Sequence, residues 1–379
     1  MALDVNIESL QASINAYAQE LGFAQCGFAT TDLAQHIEHY RGWLERQFHG
    51  DMHYMQERLA LRSDPSQLMP NTLSVISVRL NYVPKPAGFC ASLSDPNKAN
   101  VSRYALGRDY HKMMRKKLAL LGQKIRELGY SLNYRAFVDS APVLERAFAE
   151  QAGLGWIGKN TMLINPDQGS FFFLGELFTD LPLTPETSVP NQCGQCNACI
   201  KLCPTGAIVA PYQLDARKCI SYLTIEHLGA IPLELRPLMG NRIYGCDDCQ
   251  LVCPFNRGAS ATDESDFAPR HGLDDASLQQ LFNWTEAEFL QRFEGSPIRR
   301  IGYLRWLRNI AVALGNAPGS IATLEALNHK RRSVSADLVL EHIDWAIAQQ
   351  EKRLAAPMTF QFNADKLIRT ANKIVGHLN

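Results

Sequence analysis

The sequence lacks several features that would place it in a familiar class. It contains no run of about 18 apolar residues, so no segment is predicted to cross a membrane as a helix. Its 38 basic and 38 acidic residues give a net charge of zero, which excludes a globally basic nucleic-acid-binding protein but not a local basic patch. The opening residues "MALDVNIESLQASINAYAQEL" lack the basic start and apolar core of a signal peptide. We therefore predict a cytoplasmic protein whose thiols stay reduced.

Two common nucleotide-binding motifs are also missing. The glycines of "GLGWIGKN" match G-x-G-x-x-G at Gly153, Gly155 and Gly158, but they follow a predicted helix rather than a strand. A Rossmann dinucleotide site is therefore not indicated. No Walker lysine motif is present either. Any organic cofactor must be held by residues that short motifs do not reveal.

What the sequence does contain is cysteine. Of its 10 cysteines, most lie between residues 193 and 253. The run "CGQCNACIKLCP" has the spacing C-x2-C-x2-C-x3-C-P, and "CDDCQLVCP" repeats it without the leading cysteine. Cys219 lies between the runs and is the natural eighth thiol. Cys26, in an apolar stretch, is predicted to be a buried small hydrophobe, and Cys90 has no visible partner.

The first spacing is that of bacterial two-cluster ferredoxins, in which the fourth cysteine ligates the other cluster. Applied to this chain, the rule predicts two [4Fe–4S] clusters that use all eight thiols. The predicted ligands are Cys193, Cys196, Cys199 and Cys253 for cluster 1, and Cys203, Cys219, Cys246 and Cys249 for cluster 2. Structural zinc is the alternative, because zinc ribbons use paired C-x2-C knuckles. They do not usually carry a three-plus-one run that ends in Cys-Pro, so the spacing favours iron–sulfur.

The hydrophobic pattern predicts an α+β protein in three parts. Residues 1–185 combine helical spacing at 10–21 and 109–128 with strand-like runs at 73–83, 131–138 and 170–178, and are predicted to form an α/β domain. Residues 186–260 form a ferredoxin-like domain. Residues 261–379 form a helical region with one or two HEAT-type helix pairs and a C-terminal tail.

Several ordered segments resemble one family. They are "RYALGRDYH" (103–111), "VDSAPVLERAFAEQAGLGWIGKNTMLI" (138–164), "CGQCNACIKLCPTGAI" (193–208), "DARKCISYLTIE" (215–226) and "GNRIYGCDDCQLVCPFN" (240–256). Together they resemble epoxyqueuosine reductase, over about residues 8 to 320. The resemblance implies reduction of epoxyqueuosine to queuosine at the tRNA wobble position, the last step of queuosine biosynthesis. It implies cobalamin, cycling between cob(II)alamin and cob(I)alamin, held over the N-terminal domain and fed by the two clusters. It also implies a relationship to reductive dehalogenases.

The resemblance further implies site residues. Asp139 matches the family's proposed proton donor, and a raised pKa in a water-poor pocket would suit that role. An aspartate before Ser-Ala-Pro is also a good helix N-cap, so both interpretations stay open. Arg146 is either an orienting residue or an exposed helix residue, and His111 is more often a surface histidine than a ligand. The positions matched to cobalamin contacts are Arg62, Ser102, Asp139, Leu163, Leu174, Ser221 and Asp247.

Binding of tRNA should depend on phosphate contacts from a local basic surface. The candidates retained are Arg217, Lys218, Arg305 and Arg308. Other basic residues considered are Lys201, Arg299, Arg300, Lys330, Arg331 and Arg332, and a solvated helix face is the alternative for such runs. Lys159 of "GKN" offers a cation for a phosphate.

The predicted partners are tRNA carrying epoxyqueuosine and an external low-potential electron donor, for a chain that acts as a monomer. Two other functions remain alternatives: a two-cluster electron-transfer protein, and a reductive dehalogenase-like reductase of small molecules.

Overall fold

The computed structural model describes residues 6–355 and 365–379. It combines strands and helices along the whole chain. The strands are β1 Gln25–Ala29, β2 Ser74–Asn81, β3 Asn100–Val101, β4 Tyr134–Phe137, β5 Trp156–Ile157, β6 Leu163–Ile164, β7 Phe172–Thr179, β8 Ile208–Ala210, β9 Gln213–Leu214 and β10 Arg242–Tyr244.

The helices of the first half surround the longest strands. They are α1 Ile7–Glu20, α2 Ala34–Glu45, α3 His53–Glu57, α4 Leu59–Ser63, α5 Pro65–Leu68, α6 Phe89–Ser94, α7 Tyr110–Glu127 and α8 Glu145–Gln151. The helices of the second half are α9 Ala198–Leu202, α10 Ile220–Ile225, α11 Asp248–Leu251, α12 Leu278–Phe282, α13 Glu286–Arg292, α14 Gly302–Asn316, α15 Ile321–Ser333, α16 Asp337–Ala355 and α17 Asp365–Val375.

The N-terminal part is built on a four-stranded sheet with the order β1-β2-β7-β4. The strand-like runs predicted from the sequence contain β2, β4 and β7, so those three strands are confirmed. Every neighbouring pair is antiparallel. The mixed composition is as predicted, but the pairing differs from the parallel arrangement usual in an α/β domain.

Helices cover both faces of this sheet. On one face α1 and α7 pack, as their predicted helical spacing requires, and α8 packs on the other. Helix α7 begins where the Asp109 side chain accepts a hydrogen bond from the His111 backbone N–H, which is the usual role of an N-cap residue. Its residues Met114, Leu118 and Leu121 are buried against the sheet. The start of α7, the end of β4 and the start of α8 therefore meet at one edge of the sheet.

The C-terminal part has its own core, formed mainly by α12 to α16. Helix α17 does not join it. Instead Leu367, Ala371 and Ile374 pack into the core of the N-terminal sheet, and α17 also contacts α11 of the cysteine-rich segment. No helix in the described parts of the chain is long and apolar enough to cross a membrane.

Candidate active site

The cysteines of the two runs form two groups in space. A small cavity is lined by thiols from both runs, together with Lys159 and Phe255. The thiols in question are Cys193, Cys196, Cys199 and Cys253. The last of these comes from the second run, so the fold brings together the four residues that the crossed spacing rule assigns to cluster 1.

Polar groups contact the loop that carries this first set. The indole Nε1 of Trp156 donates to Cys193 Sγ at 3.5 Å. Lys159 Nζ donates to the carbonyl oxygens of Gly194 at 2.6 Å and Cys196 at 2.9 Å. Lys159 therefore binds the cysteine loop, and its contact with a phosphate stays a prediction. A cation and an indole N–H beside the thiols suit a negatively charged thiolate site.

The second set consists of four partly buried thiols. Burial raises the pKa of Cys246 and Cys249 well above the ordinary value, and the neighbouring Cys219 raises both further. Cys203 acts on Cys219 and Cys249 in the same way. Thiols buried this close together carry charge only when a metal centre compensates it, so this donor set fits a cluster. In the described residues, no three His, Cys, Asp or Glu side chains are arranged to hold a single metal ion.

The two remaining cysteines lie outside these groups. Cys90 is buried and Cys26 is partly buried, and both pack in the core of the N-terminal sheet. Burial raises the pKa of the Cys26 thiol. Cys26 therefore behaves as a small core residue, as the sequence indicates.

Asp139 directly follows the end of β4, where the strand leaves the sheet. Its φ is 46°, a left-handed conformation that aspartate tolerates better than most residues. Its Oδ2 accepts hydrogen bonds from the Tyr110 hydroxyl at 2.9 Å and from His111 Nε2 at 3.1 Å. The side chain is still 58% exposed, so the carboxylate remains open to a ligand on one side.

The expectation that Asp139 has a raised pKa is wrong for this structure. Burial by the surrounding protein favours the neutral carboxyl, but the hydrogen bonds from His111 and Tyr110 and the charge of His111 outweigh it. The pKa of Asp139 therefore lies below its ordinary value. The carboxyl is ionised at neutral pH, and the proton lies on its neighbour.

That neighbour is His111, held between two carboxylates. Its Nδ1 lies 2.5 Å from Asp109 Oδ1, and its ring stacks on Tyr110 with centroids 4.3 Å apart. Burial lowers the pKa of His111, but the hydrogen bonds to Asp109 and Asp139 prevail and raise it to about 9. At neutral pH both ring nitrogens carry hydrogen and donate. His111 is therefore a hydrogen-bonded histidine near the surface, as the sequence indicates, and its two carboxylate partners are what the sequence did not show.

Sequence reasoning missed two further acids at this site. The Asp139 backbone N–H donates to Glu145 Oε1, and the Glu145 carboxyl lies within hydrogen-bonding reach of Glu176. Glu176 has 0% exposure in the middle of β7. The proposed orienting residue Arg146 donates instead to the Thr161 carbonyl, so it does not hold the Asp139 carboxylate.

Some positions matched to cobalamin contacts join separate segments. Ser102 Oγ donates to Asp247 Oδ1, and the Arg103 backbone N–H donates to Asp247 Oδ2 at 2.9 Å. Asp247 adjoins Cys246, so this contact ties the N-terminal part to the second cysteine run. Leu163 is buried in β6, Leu174 is partly buried on the α8 face of the sheet, and Ser221 is partly buried in α10.

The surroundings of the Arg62 guanidinium indicate whether a polar cofactor would fit beside it. It is only 8% exposed. Its Nη1 donates to the Val143 carbonyl at 3.3 Å, but its buried Nε has no partner among the described residues. A buried guanidinium donor without an acceptor is costly, and a ligand oxygen would satisfy it. Arg62 and Asp139 both act on the pKa of Tyr54, which burial raises to about 12.

The basic candidates for tRNA binding differ in whether their side chains can reach a phosphate. Arg308 is fully buried, and it donates to the carbonyl oxygens of Leu223, His227 and Gly229. It cannot reach a phosphate, so that prediction is wrong. Arg305 also donates to backbone carbonyls, those of Ile301, Ile225 and Arg300.

Arg217 and Lys218, beside the second cysteine group, are more accessible to solvent. Arg217 is partly exposed but bound by both carboxylate oxygens of Asp215, at 2.9 Å each. Lys218 is exposed. Arg300, also considered from the sequence, forms an ion pair with Glu226 at 2.6 Å, and its charge lowers the pKa of Asp139. Of the four retained candidates, Lys218 is therefore the most available.

Comparisons with known proteins identify the family. A family model described as epoxyqueuosine reductase matches residues 62–140, and one described as a 4Fe-4S double cluster binding domain matches residues 192–256. An epoxyqueuosine reductase of Pseudomonas aeruginosa is 57% identical, over 89% of this chain and 94% of the relative. The chain belongs to the epoxyqueuosine reductase family.

Solved structures of epoxyqueuosine reductases share the whole fold. One, in complex with an epoxyqueuosine-modified tRNA-Tyr stem loop, has a TM-score of 0.81 and 27% identity, and the match covers 98% of this chain and 100% of that one. Another, from Bacillus subtilis, has a TM-score of 0.82 and 27% identity over 97% of this chain and 100% of that one. In that structure the loop of the catalytic aspartate is swung out of the active site. The family resemblance recognised in the sequence is confirmed.

Proposed function

We propose that this chain reduces epoxyqueuosine in tRNA to queuosine, with cobalamin and two [4Fe–4S] clusters as cofactors. The observation that carries the proposal is the solvent-open Asp139 carboxylate, hydrogen-bonded to His111 and Tyr110 at the end of β4. It lies in a chain that also gathers eight thiols into two groups. A proton source and an electron path are the two things that removal of an epoxide oxygen requires.

The two thiol groups supply the electron path. We assign Cys193, Cys196, Cys199 and Cys253 to cluster 1, and Cys203, Cys219, Cys246 and Cys249 to cluster 2. The first assignment is supported by the shared cavity, and the second by the mutual effect of the thiols on their pKa values. The N-terminal part contacts both groups, through Trp156 and Lys159 at the loop of cluster 1 and through Ser102 at Asp247 beside Cys246. Electrons from an external low-potential donor would pass through the two clusters.

The N-terminal part supplies the cobalamin site. When bound, cobalamin supplies a strongly reducing cobalt centre. The residues assigned to hold it are Arg62, Ser102, Asp139, Leu163, Leu174, Ser221 and Asp247. The unpartnered Nε of Arg62 supports this assignment.

Protons are supplied by Asp139 and His111 together. Conversion of the epoxide to the alkene takes two electrons and two protons and releases the oxygen as water. Asp139 is the more exposed of the two groups, at 58% against 20% for His111, so Asp139 faces the leaving oxygen. His111 carries the proton at neutral pH and passes it to Asp139 along their hydrogen bond. The loop movement seen in the Bacillus subtilis relative suggests that the Asp139 loop also opens to admit the nucleotide.

The remaining assignments concern organisation and partners. We assign residues 1–185 to cobalamin binding, 186–260 to the ferredoxin-like clusters, and 261–379 to a HEAT-like helical region and tail. Lys218 and Arg217, beside cluster 2, are the proposed phosphate contacts for tRNA. The chain is expected to act in the cytoplasm as a monomer.

The proposal is tested with anaerobically purified, reconstituted protein. Absorbance spectra with and without added cobalamin show whether a base-off corrinoid band adds to the broad iron–sulfur absorbance. Nucleoside analysis of tRNA carrying epoxyqueuosine then shows whether queuosine forms when a low-potential reductant is supplied. Clusters without corrinoid binding and without queuosine would favour a two-cluster electron-transfer protein instead. Corrinoid binding with turnover of haloaromatics but not tRNA would favour the dehalogenase-like alternative.

A further inference from the structure

The cysteine loop assigned to cluster 1 lies at the surface of the protein. Of the eight clustered thiols, Cys196 is the one that is exposed, whereas Cys253 is buried and the others are partly buried. The loop at residues 191–197 is exposed except at Cys193, which is partly buried. Electrons for the reduction come from outside the chain, so they need a point of entry. The edge of a cluster held by Cys196 is the most open one.

The surface around this loop carries few charges. Residues 187–214 contain one charged side chain, Lys201, although 20% of the residues in the whole chain are charged. The centre of a protein-binding face is typically depleted of charged residues and enriched in aromatic ones. The composition of this segment therefore suits a face that contacts another protein.

An exposed tyrosine lies at a tight turn in the same segment. Strands β8 and β9 pair through Ala210 and Gln213, so Pro211 and Tyr212 form a two-residue turn. Tyr212 has a φ of 65° and is 47% exposed. A left-handed residue that follows proline in a turn is usually glycine or asparagine, and a bulky residue there is strained. Since glycine would make this turn more easily, the exposed ring indicates a role other than folding.

Hydrogen bonds connect Tyr212 to the cysteine loop on two sides. The Tyr212 backbone N–H donates to the Lys159 carbonyl at 3.1 Å, and Lys159 Nζ donates to the Cys196 carbonyl at 2.9 Å. The Tyr212 hydroxyl accepts from Asn191 Nδ2 at 3.0 Å, and Asn191 Oδ1 accepts from the Cys193 N–H at 2.9 Å. The phenol ring is therefore held beside the loop whose thiols bind cluster 1.

The charged residues next to this loop are basic. Lys159 contacts it directly, Lys201 is exposed in α9, and Arg257 is exposed in the turn that follows Cys253. None of the three forms an ion pair with a carboxylate among the described residues. The next acidic residue along the chain, Asp215, is buried. Positive groups around a charge-poor centre favour an acidic partner, because opposite charges steer the encounter.

We propose that Tyr212 and residues 191–197 form the docking face for the electron donor, and that this donor is a small acidic ferredoxin. The proposal rests on the proposed function of the clusters as an electron path. In each encounter one ferredoxin cluster is oxidised by one electron and cluster 1 is reduced by one electron, so two encounters supply the two electrons of the reaction. Electron-transfer encounters use small, transient interfaces, and one aromatic ring beside a short loop fits such an interface.

The first experiment measures binding without turnover. The affinity of oxidised ferredoxin for the reconstituted protein is determined by calorimetry. Tyr212→Asn removes the ring but keeps a residue that tolerates a left-handed φ, and it should weaken the Kd about tenfold. Tyr212→Phe keeps the ring and should bind like the wild type. If Tyr212 only anchored the loop through its hydroxyl, Tyr212→Phe would bind as weakly as Tyr212→Asn. Ile321→Asn, at an exposed apolar residue of α15, is the matched control and should change nothing.

The second experiment follows electron entry by stopped-flow bleaching of the iron–sulfur absorbance. Reduction by reduced ferredoxin should slow as salt is added, because salt screens the attraction between the two proteins. Lys201→Glu should lower this rate about tenfold at low salt and flatten its salt dependence. Lys352→Glu, at an exposed residue of α16, should match the wild type. A photoreduced deazaflavin needs no docking face and should reduce the clusters equally in every variant.

These results separate the docking face from the proposed function. The docking face would be refuted if ferredoxin did not bind, if a flavodoxin bound in its place, or if Tyr212→Asn weakened tRNA binding or self-association instead. Queuosine formation with deazaflavin in that case would leave the proposed function standing. Reduction by ferredoxin that depends on Tyr212, without queuosine formation, would support the docking face and contradict the proposed function. Should Tyr212→Asn fail to hold its clusters, Lys201→Glu and the salt dependence still decide the matter.

Discussion

Replacement of Asp139 by asparagine gives the sharpest test of the proton-delivery scheme. Asparagine is nearly isosteric and tolerates the left-handed φ of 46°, so the backbone should not change. Its side-chain oxygen still accepts a hydrogen bond, but the amide carries no transferable proton. The substitution therefore removes the acid and little else.

The expected loss of activity in Asp139→Asn can be compared with its expected loss of stability. A positioned acid contributes about 10²- to 10⁴-fold to a rate, which is about 3–5 kcal/mol of activation free energy. The ion pair between His111 and Asp139 is exposed on the Asp139 side, and such pairs contribute about 0.2–1 kcal/mol to stability. We expect kcat to fall by two to four orders of magnitude while the melting temperature changes by only a few degrees.

The assay compares single-turnover formation of queuosine in the wild type, in Asp139→Asn and in a matched control. Asp32→Asn is a suitable control, because Asp32 is an exposed capping residue before α2 and asparagine caps equally well. Cobalamin content, iron content and tRNA affinity should be equal in all three proteins. Near-normal turnover in Asp139→Asn with both cofactors bound would refute the scheme, and would direct attention to His111 or Tyr110. The same variant should lower the pKa of His111 from about 9, since one of its two carboxylate partners is lost.

Four further outcomes follow from the structure. Cys253→Ser should damage the cluster held by the first cysteine run, and electron paramagnetic resonance showing loss of only the other cluster would overturn the crossed assignment. Anaerobic protein should contain about eight irons per chain, and stoichiometric zinc with little iron would contradict the iron–sulfur assignment. Arg308→Met should lower the melting temperature, because it leaves buried carbonyls without a donor at a cost of about 1–3 kcal/mol each, and it should leave tRNA affinity unchanged. Lys218→Ala should leave the melting temperature unchanged and weaken tRNA binding in a filter-binding assay. Because burial and the charge of Asp139 raise the pKa of Glu145 from 4.5 to about 8, the stability that the protonated Glu145 carboxyl contributes is complete below about pH 4.5 and is lost as the pH rises through about 8; denaturant midpoints in Glu145→Gln should lack this loss.

The parts of the site that depend on short-range spacing could be predicted from the sequence. The eight cysteines are an example, because the geometry of a cubane dictates the spacing of three ligands and sends the fourth to the other cluster. The helix over α7 and the strands β2, β4 and β7 were likewise visible, because their apolar residues repeat with the period of the element.

The remaining features depend on contacts between distant residues. Glu176 lies in "SFFFLGELF" and reads as an outward residue of a half-exposed strand, but α8 covers that face and buries it. Arg308 belongs to a run that reads as a basic surface, whereas the segment around residues 223–229 wraps its guanidinium. The direction of the Asp139 pKa was misjudged because the sequence does not show that His111, from the start of α7, donates to its carboxylate.

The position of α17 has a consequence for biogenesis. Its apolar residues complete the core of the N-terminal sheet, yet it is translated after every other element of that core. At typical rates of synthesis, on the order of ten seconds separate the appearance of the second cysteine run from that of α17. During this interval the cysteine-rich segment, which α17 also contacts, is not yet covered by it. We expect the cysteine-rich segment to be accessible for cluster assembly on the nascent chain during this interval, until α17 docks.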